Sequence, residues 1–396
     1  MTMAAAIENR TAEAQARPKP SRIARIDLLG DLDAAEAAWR NLETPEQLFT
    51  PYQRFGFLSS WQREVGARDL AKPLIVVGYD AEHRSLVLLP LAVKGAHGVR
   101  VACFMGGKHA TFNMALWDRE FAAGARLADL TLLIGELRKH SAADVLALTR
   151  QPARWHDAIN PFATLPHQVS ANDCPVLNIT PGAAATSLIS NSFRKRLKTK
   201  ERKLQKLPGY HYLVATDDAD ITRLLDWFFR VKPLRMAQQL LPNVFAEPGV
   251  EAFIRKACLM PRAEGGRAID IHALRCDEEI IALFAGVADE HRFSMMFNTY
   301  TLSEHAHFSP GLILMRNIVD HYAARGYRAL DLGIGADDYK RMFCKSDEPL
   351  FDSFVPMSAR GRLAATAMSG MTRGKHLVKH NQALLGLAQR LRKALR

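Results

Sequence analysis

The sequence predicts an α/β protein of two similar units in tandem, each a mixed, mostly antiparallel sheet flanked by helices. Three observations carry that expectation. The second half runs through three strand-like segments, a helix opening at Phe308-Ser309-Pro310-Gly311, and a returning strand-like segment at Tyr327–Ile334. The first half repeats this order in weaker form, with slight residue identity. The 396 residues, 48% hydrophobic and 24% charged, are enough for two cores.

In the first unit, strand signals fall at Leu74–Gly78, Ser85–Val93 and Val99–Met105. A Gly/His loop follows, then a helix from about Glu120 to His140 and a strand at Asp144–Thr149. The units join near Ala171–Ser192, and a basic helix beginning at Phe193 opens the second. There Ala268–Cys276 and Ile280–Val287 flank the polar turn Asp277-Glu278-Glu279, and Phe293–Thr301 completes an antiparallel meander. A strand returning after a helical crossover pairs in parallel, so Tyr327–Ile334 makes the sheet mixed.

The helix between these strands carries the best ligand signal. Ser309 is expected as N-cap, its hydroxyl accepting from an orphan amide, with Pro310 at the first helical position and Gly311 admitting a ligand close to the backbone. Leu312, Met315, Val319 and Tyr322 give one apolar face, and Gly326 supplies the stop. Free amides and the helix dipole favour phosphate, which makes this start a candidate pyrophosphate cradle. A plain helix cap would read the same way.

Composition bounds the rest. Residues 1–22 are Ala-rich and polar and are expected to be disordered; 23–175 and 176–356 form the two units, the first of them degenerate; 357–396 form a basic tail. Leu384, Ala388, Leu391 and Leu395 make an amphipathic stripe there, suited to a partner surface or weak contact with a membrane surface. No apolar run long enough for a membrane span or secretory signal is seen, so a cytoplasmic location is expected, peripheral at the inner membrane if the tail binds lipid. The five cysteines are scattered, without metal-ligand spacing, and no metal is expected. The net charge of +12 is concentrated: Phe193–Lys206 carries +7 and Met357–Arg396 carries +9. The remainder is mildly acidic.

Phe193-Arg194-Lys195, Phe308-Ser309-Pro310-Gly311-Leu312, Arg325-Gly326-Tyr327, Leu330-Asp331-Leu332-Gly333 and Tyr339-Lys340 together resemble the second half of the GNAT-like acyltransferases of the CelD/BcsL, cellulose-biosynthesis type, relatives of the FemABX transferases. Leu89-Pro90-Leu91 and Phe104-Met105-Gly106 extend the resemblance to the first half. It implies a tandem GNAT fold and transfer of an acyl group, acetyl in the simplest case, from coenzyme A to an amine or hydroxyl acceptor. A small molecule or glycan precursor of exopolysaccharide or envelope synthesis is the acceptor it suggests. The usual Gln/Arg-x-x-Gly-x-Gly/Ala phosphate loop is missing, and Ser309-Pro310-Gly311-Leu312 stands in its place.

The resemblance makes Tyr339 the acid that protonates the leaving thiolate, although a packing tyrosine would look alike. Lys340 is a candidate for holding phosphates or an anionic acceptor, and Asp331 for drawing a proton or orienting Lys340, against a plain surface lysine and a backbone-binding aspartate. Asn298 and Tyr300, ending the third strand, are candidates for the acyl pocket. His305 and His307 lack a third metal ligand. Gly333-Ile334-Gly335 and Gly106-Gly107-Lys108 fall short of nucleotide fingerprints. The basic helix reads as a solvated face or as a site for phosphate, whether of coenzyme A or transfer RNA; without interleaved aromatics, nucleic acid is not the expected partner. Two alternatives to acyl-CoA chemistry follow: a non-catalytic member of a polysaccharide-synthesis assembly, and aminoacyl transfer from tRNA.

Overall fold

The computed structural model describes residues 21–381, apart from 173, 181, 183–187 and 336. The expected disordered segment, save its last two residues, and the stripe from Leu384 to Leu395 lie outside the described residues.

The first sheet takes β1 (Arg25–Leu29), β2 (Lys72–Tyr79), β3 (Ser85–Ala96), β4 (Val99–Phe104) and β5 (Val145–Pro152) in that order. Neighbours are antiparallel until β4, which meets β5 in parallel. The second sheet repeats the scheme. Its β7 (His211–Ala215), β8 (Asp270–Arg275), β9 (Ile280–Ala288) and β10 (Arg292–Tyr300) form an antiparallel run, and β10 meets β11 (Ala329–Asp331) in parallel. The chain therefore folds as tandem GNAT-like α/β units.

The units are interlocked rather than placed end to end. Strand β6 (Cys174–Asn178), straddling the boundary expected at 175/176, lies in the second sheet between β11 and the short β12 (Ser346–Glu348). Strand β13 (Leu350–Pro356), at the end of the second unit, crosses back and pairs antiparallel with β5 in the first sheet. The first sheet is thus extended by a strand from the other half, and the second by one from the junction, since unpaired edges at β5 and β11 would leave backbone groups to be satisfied otherwise.

Helices cover the sheets. The helix expected from Glu120 to His140 is interrupted: a turn at Arg119–Ala123 ends at Gly124, and α3 (Leu127–His140) starts afresh. The cause is Asp129, fully buried, whose carboxylate accepts from the Arg126 amide at 2.9 Å and the Ser21 hydroxyl at 2.7 Å. In the first unit α1 (Leu32–Leu42) and α2 (Phe55–Trp61) precede it; in the second come α4 (Asn191–Leu204), α5 (Asp218–Gln238), α6 (Val250–Leu259), α7 (Pro310–Ala324) and the short α8 (Asp338–Phe343). One hydrophobic core runs through both units, with Phe57 of α2 packed edge-on against Phe253 of α6 at 5.2 Å. A second core lies between α4, α7 and the second sheet, around Phe193, Phe293 and Tyr322. The described part of the basic tail is helix α9 (Ala359–His380), whose Ala365 rests on Val145 and Ala147 of the first sheet. Among the described residues no helix is long and apolar enough to cross a membrane.

Candidate active site

Strand β10 and strand β11 are paired only from Arg292–Ala329 to Ser294–Asp331. Past that point β10 continues to Tyr300 with β9 on one side alone, so its other edge is left without a strand partner. The expected strand Tyr327–Ile334 is this short because Gly333 and Gly335 take positive φ of 71° and 118°, and the Asp331 carboxylate accepts the Gly333 amide at 3.1 Å. The chain turns away instead of zipping along β10.

The matching gap in the first sheet is filled by the protein itself. Past Phe104 the loop returns to β5, where the Asn113 amide donates to Arg150 O at 3.0 Å and its side chain to Thr149 O at 3.1 Å. Arg150 in turn donates to Ala110 O at 2.7 Å. The second gap opens on a cavity of about 570 Å³.

Six of the residues singled out in the sequence line that cavity: Asn298, Tyr300, Ser309, Gly311, Leu312 and Tyr339. Gly311 faces Tyr300, and a methyl group added at its Cα would lie 3.4 Å from that ring. Pro310 is buried as the first residue of α7. Ser309 does not cap the helix as expected. It sits in the left-handed region at φ 60°, ψ 51°, no side-chain capping bond forms, and its hydroxyl accepts from Lys200 Nζ of α4 at 2.7 Å. Its carbonyl instead accepts the amides of Leu312 and Ile313, at 3.0 and 3.2 Å. Tyr339 projects from α8. Burial foremost, and then the Asp337 carboxylate, hold its phenol well above the ordinary value, opposed by a hydrogen bond with the Asn298 side chain.

Asp331 and Lys340 are not among the cavity-lining residues. Asp331 is fully buried behind the gap; it accepts from Arg292 Nε at 2.8 Å, from the Ser294 hydroxyl and from the Gly333 amide. Arg292 also donates to Glu348 at 2.6 Å and lies over the rings of Phe112 and Trp155 from the first unit. This cluster ties the two units together, and nothing places Asp331 beside a reacting atom. Lys340 is equally buried. Its amine donates to the carbonyls of Gly333 and Ile334, at 3.2 and 3.0 Å, and pairs with Asp337 at 3.3 Å, which fixes the loop behind Tyr339.

Sequence reasoning missed the opposite wall. Helix α5 presents Lys232 and Arg235 to the cavity. Lys232 Nζ donates to Asn298 O on the open edge of β10 at 2.8 Å, and burial followed by the nearby Arg235 lowers its pKa to about 8. The Arg235 guanidinium lies 3.4 Å from the Tyr300 ring centroid and donates to Thr301 O. The only available signal was the i, i+3 spacing, which places both cations on one helical face.

The basic helix α4 is not uniformly a solvated face. Arg194 is buried and forms a two-pronged pair with Asp320 at 2.8 Å, while Glu201 accepts from Arg316 at 2.6 Å, clamping α4 to α7. Lys195, Arg196, Lys198, Arg202 and Lys203 are exposed. His305 pairs with Glu279 at 3.4 Å, and among the described residues no group of His, Cys, Asp and Glu is arranged to hold a metal ion.

Residues 191–341 match the acetyltransferase (GNAT) domain family, so the second unit, with the open gap and the cavity, is a GNAT-type acyltransferase domain. No curated protein matches the chain. Among solved structures, the C-terminal domain of a putative lysylphosphatidylglycerol synthetase from Agrobacterium fabrum is 10% identical, covers 86% of this chain and 97% of its own, and superposes with a TM-score of 0.51. FemX is 8% identical, with 83% of this chain and 97% of its own covered and a TM-score of 0.53. At such identities the similarity concerns the fold.

Proposed function

We propose that the protein transfers an acyl group from coenzyme A to an amine or hydroxyl acceptor, with the donor in the cavity at the open edge of β10. The observation that carries this reading is that edge: a strand paired with β9 on one side, whose other edge past Ser294 has no strand partner among the described residues, ending in a cavity walled by the start of α7 and by Tyr339. A chain with amide groups, such as pantetheine, pairs with such an edge as an added strand would. Its acyl end then lies near Tyr339.

Attack by a neutral amine or hydroxyl forms the new bond to the acyl carbon and breaks the bond to sulfur. The departing thiolate needs a proton and the acceptor nitrogen or oxygen sheds one, so the acid that protonates the sulfur is restored by the acceptor's proton through solvent. A buried phenol held protonated through neutral pH is suited to give the sulfur its proton, and Tyr339 shares the cavity wall with Asn298. An acceptor from exopolysaccharide or envelope synthesis is the one the sequence resemblance favours.

Calorimetry with acetyl-CoA tests the site. Wild type is expected to bind and Gly311→Trp to lose binding, since the indole would fill the space in front of Tyr300 and Phe284. Absence of binding by wild type, or equal binding by the variant, refutes the reading.

A second reading, aminoacyl transfer from tRNA, is favoured by one feature. The exposed cations of α4 run up to Lys200, which touches Ser309 at the cavity wall. It requires salt-sensitive RNA binding that disappears when Lys195, Arg196, Lys198, Arg202 and Lys203 are made Gln.

A further inference from the structure

Charged groups inside this protein are generally neutralised in place. Arg292 meets Asp331 and Glu348, Arg316 meets Glu201, Arg194 meets Asp320 and Arg262 meets Asp270. Each of these guanidinium groups is largely shielded from solvent and each has a carboxylate within about 3 Å. Arg150, held by main-chain carbonyls alone, departs from that pattern as a single cation, and the cavity departs from it with several. Among the described residues, neither Lys232, Arg235 nor Lys200 has a carboxylate within 4.0 Å, though all three are partly buried. Their recorded polar partners are two main-chain carbonyls and the Ser309 hydroxyl. The one acidic side chain on the cavity, Asp337, is engaged by Lys340 from behind.

Leaving cations desolvated without a counter-charge is costly, and the depressed pKa of Lys232 registers that cost. Lys232 and Arg235 line the same space one turn apart on α5, and Lys200 of α4 reaches Ser309 on its rim, so three like charges are gathered around one cavity.

We infer that the α5 wall of the cavity is an anion site, in which Lys232 and Arg235, with Lys200 at the Ser309 side, hold a phosphate or carboxylate group of the ligand that reacts there. The inference deepens the coenzyme A reading and rests on it for the identity of the cavity as the donor site. The anion itself has two sources of the same chemistry: the phosphates of the donor, or a carboxylate carried by the acceptor. Arg235 is also pre-set for a planar anion, since its stacking on Tyr300 fixes the guanidinium plane and leaves donors free to form paired bonds.

The test is calorimetry on the full chain with four probes, namely inorganic pyrophosphate, malonate, acetyl-CoA and S-acetylpantetheine, which lacks the nucleotide phosphates. The variants are Lys232→Met, Arg235→Met and Lys232→Arg. If the donor's phosphates occupy the site, pyrophosphate and acetyl-CoA each weaken by about tenfold or more in either Met variant while S-acetylpantetheine is unaffected. If an acceptor carboxylate occupies it, malonate shows that loss and acetyl-CoA does not. Lys232→Arg retains anion binding in either case, which separates a charge effect from damage to the fold. The inference is overturned if neither small anion binds wild type, or if both bind the Met variants as tightly as wild type. Failure of the coenzyme A reading has a different signature: acetyl-CoA and S-acetylpantetheine do not bind, while pyrophosphate or malonate binds in a Lys232- and Arg235-dependent way.

Discussion

Replacing Asp331 separates a structural role from a chemical one. The carboxylate is fully buried and accepts from Arg292, Ser294 and Gly333. Asp331→Ala leaves Arg292 with Glu348 as its remaining carboxylate, and Arg292 Nη2 is already without a hydrogen-bond partner. Removing one member of a buried ion pair costs about 3–5 kcal/mol, because the other charge stays desolvated. That is a large part of a total stability of about 5–15 kcal/mol. Urea unfolding followed by circular dichroism should therefore show a much lower midpoint for Asp331→Ala. In a cycle of Asp331→Ala, Arg292→Met and the two combined, the double variant should lose less than the singles sum to, giving a coupling energy of about 1–3 kcal/mol. Acetyl-CoA affinity of the folded Asp331→Asn protein should stay close to wild type. The reasoning is refuted if Asp331→Asn keeps the urea midpoint and donor affinity but abolishes transfer, since Asp331 would then take part in the reaction.

Three further outcomes are expected. Tyr339→Phe should lower kcat for transfer from acetyl-CoA by about 10²-fold with little change in KM, as for loss of a positioned acid; an unchanged rate would remove Tyr339 from the chemistry and favour a non-catalytic role. His272 is buried neutral between the hydroxyls of Tyr212 and Tyr322, at 2.8 and 3.0 Å, with its pKa lowered to about 3 by burial and then by His321 and Arg325. The unfolded chain binds this proton below about pH 6.5 and the folded chain does not, so stability falls as pH drops from about 6.5 toward 3, by up to about 1.4 kcal/mol per pH unit. Thermal melts of His272→Gln should show a shallower slope there, and equal slopes would exclude this histidine as the cause. Gly361 lies at the start of α9, where an added methyl would sit 1.7 Å from Asp144 O. Gly361→Ala should cost about 1–3 kcal/mol by forcing α9 off the first sheet; an unchanged melting temperature would show that the helix is not seated there.

The sequence carried local order well and long-range partners poorly. The meander and its helix were legible because β8, β9 and β10 are short runs between polar turns and because Met315, Val319 and Tyr322 recur at helical spacing, all three of them buried. Asn298, Tyr300 and Tyr339 were legible as candidates because they sit at the ends of those elements, where a cavity forms. For Asp331 the sequence left a chemical role and a backbone-binding one side by side; the carboxylate does accept a backbone amide, from Gly333, but its partner Arg292 lies 39 residues earlier on a parallel strand, a pairing no local pattern announces. Lys232 lies 66 residues before Asn298 and was hidden in a helix containing Pro233, which weakens any helical signal. The return of β13 to the first sheet left no local trace, since a strand's own residues do not say which sheet receives it.

That return also sets a timetable for synthesis. Strand β5 ends at Pro152, and the partner that covers its edge begins at Leu350. Roughly 200 residues must be translated in between, about 10–40 s at bacterial-type rates of about 5–20 residues per second. Throughout that interval the first sheet stands finished except for one bare edge, the kind of surface that other chains can join. The first sheet is therefore completed only after most of the second unit has left the ribosome, and a chain released before Leu350 would fail in its first half.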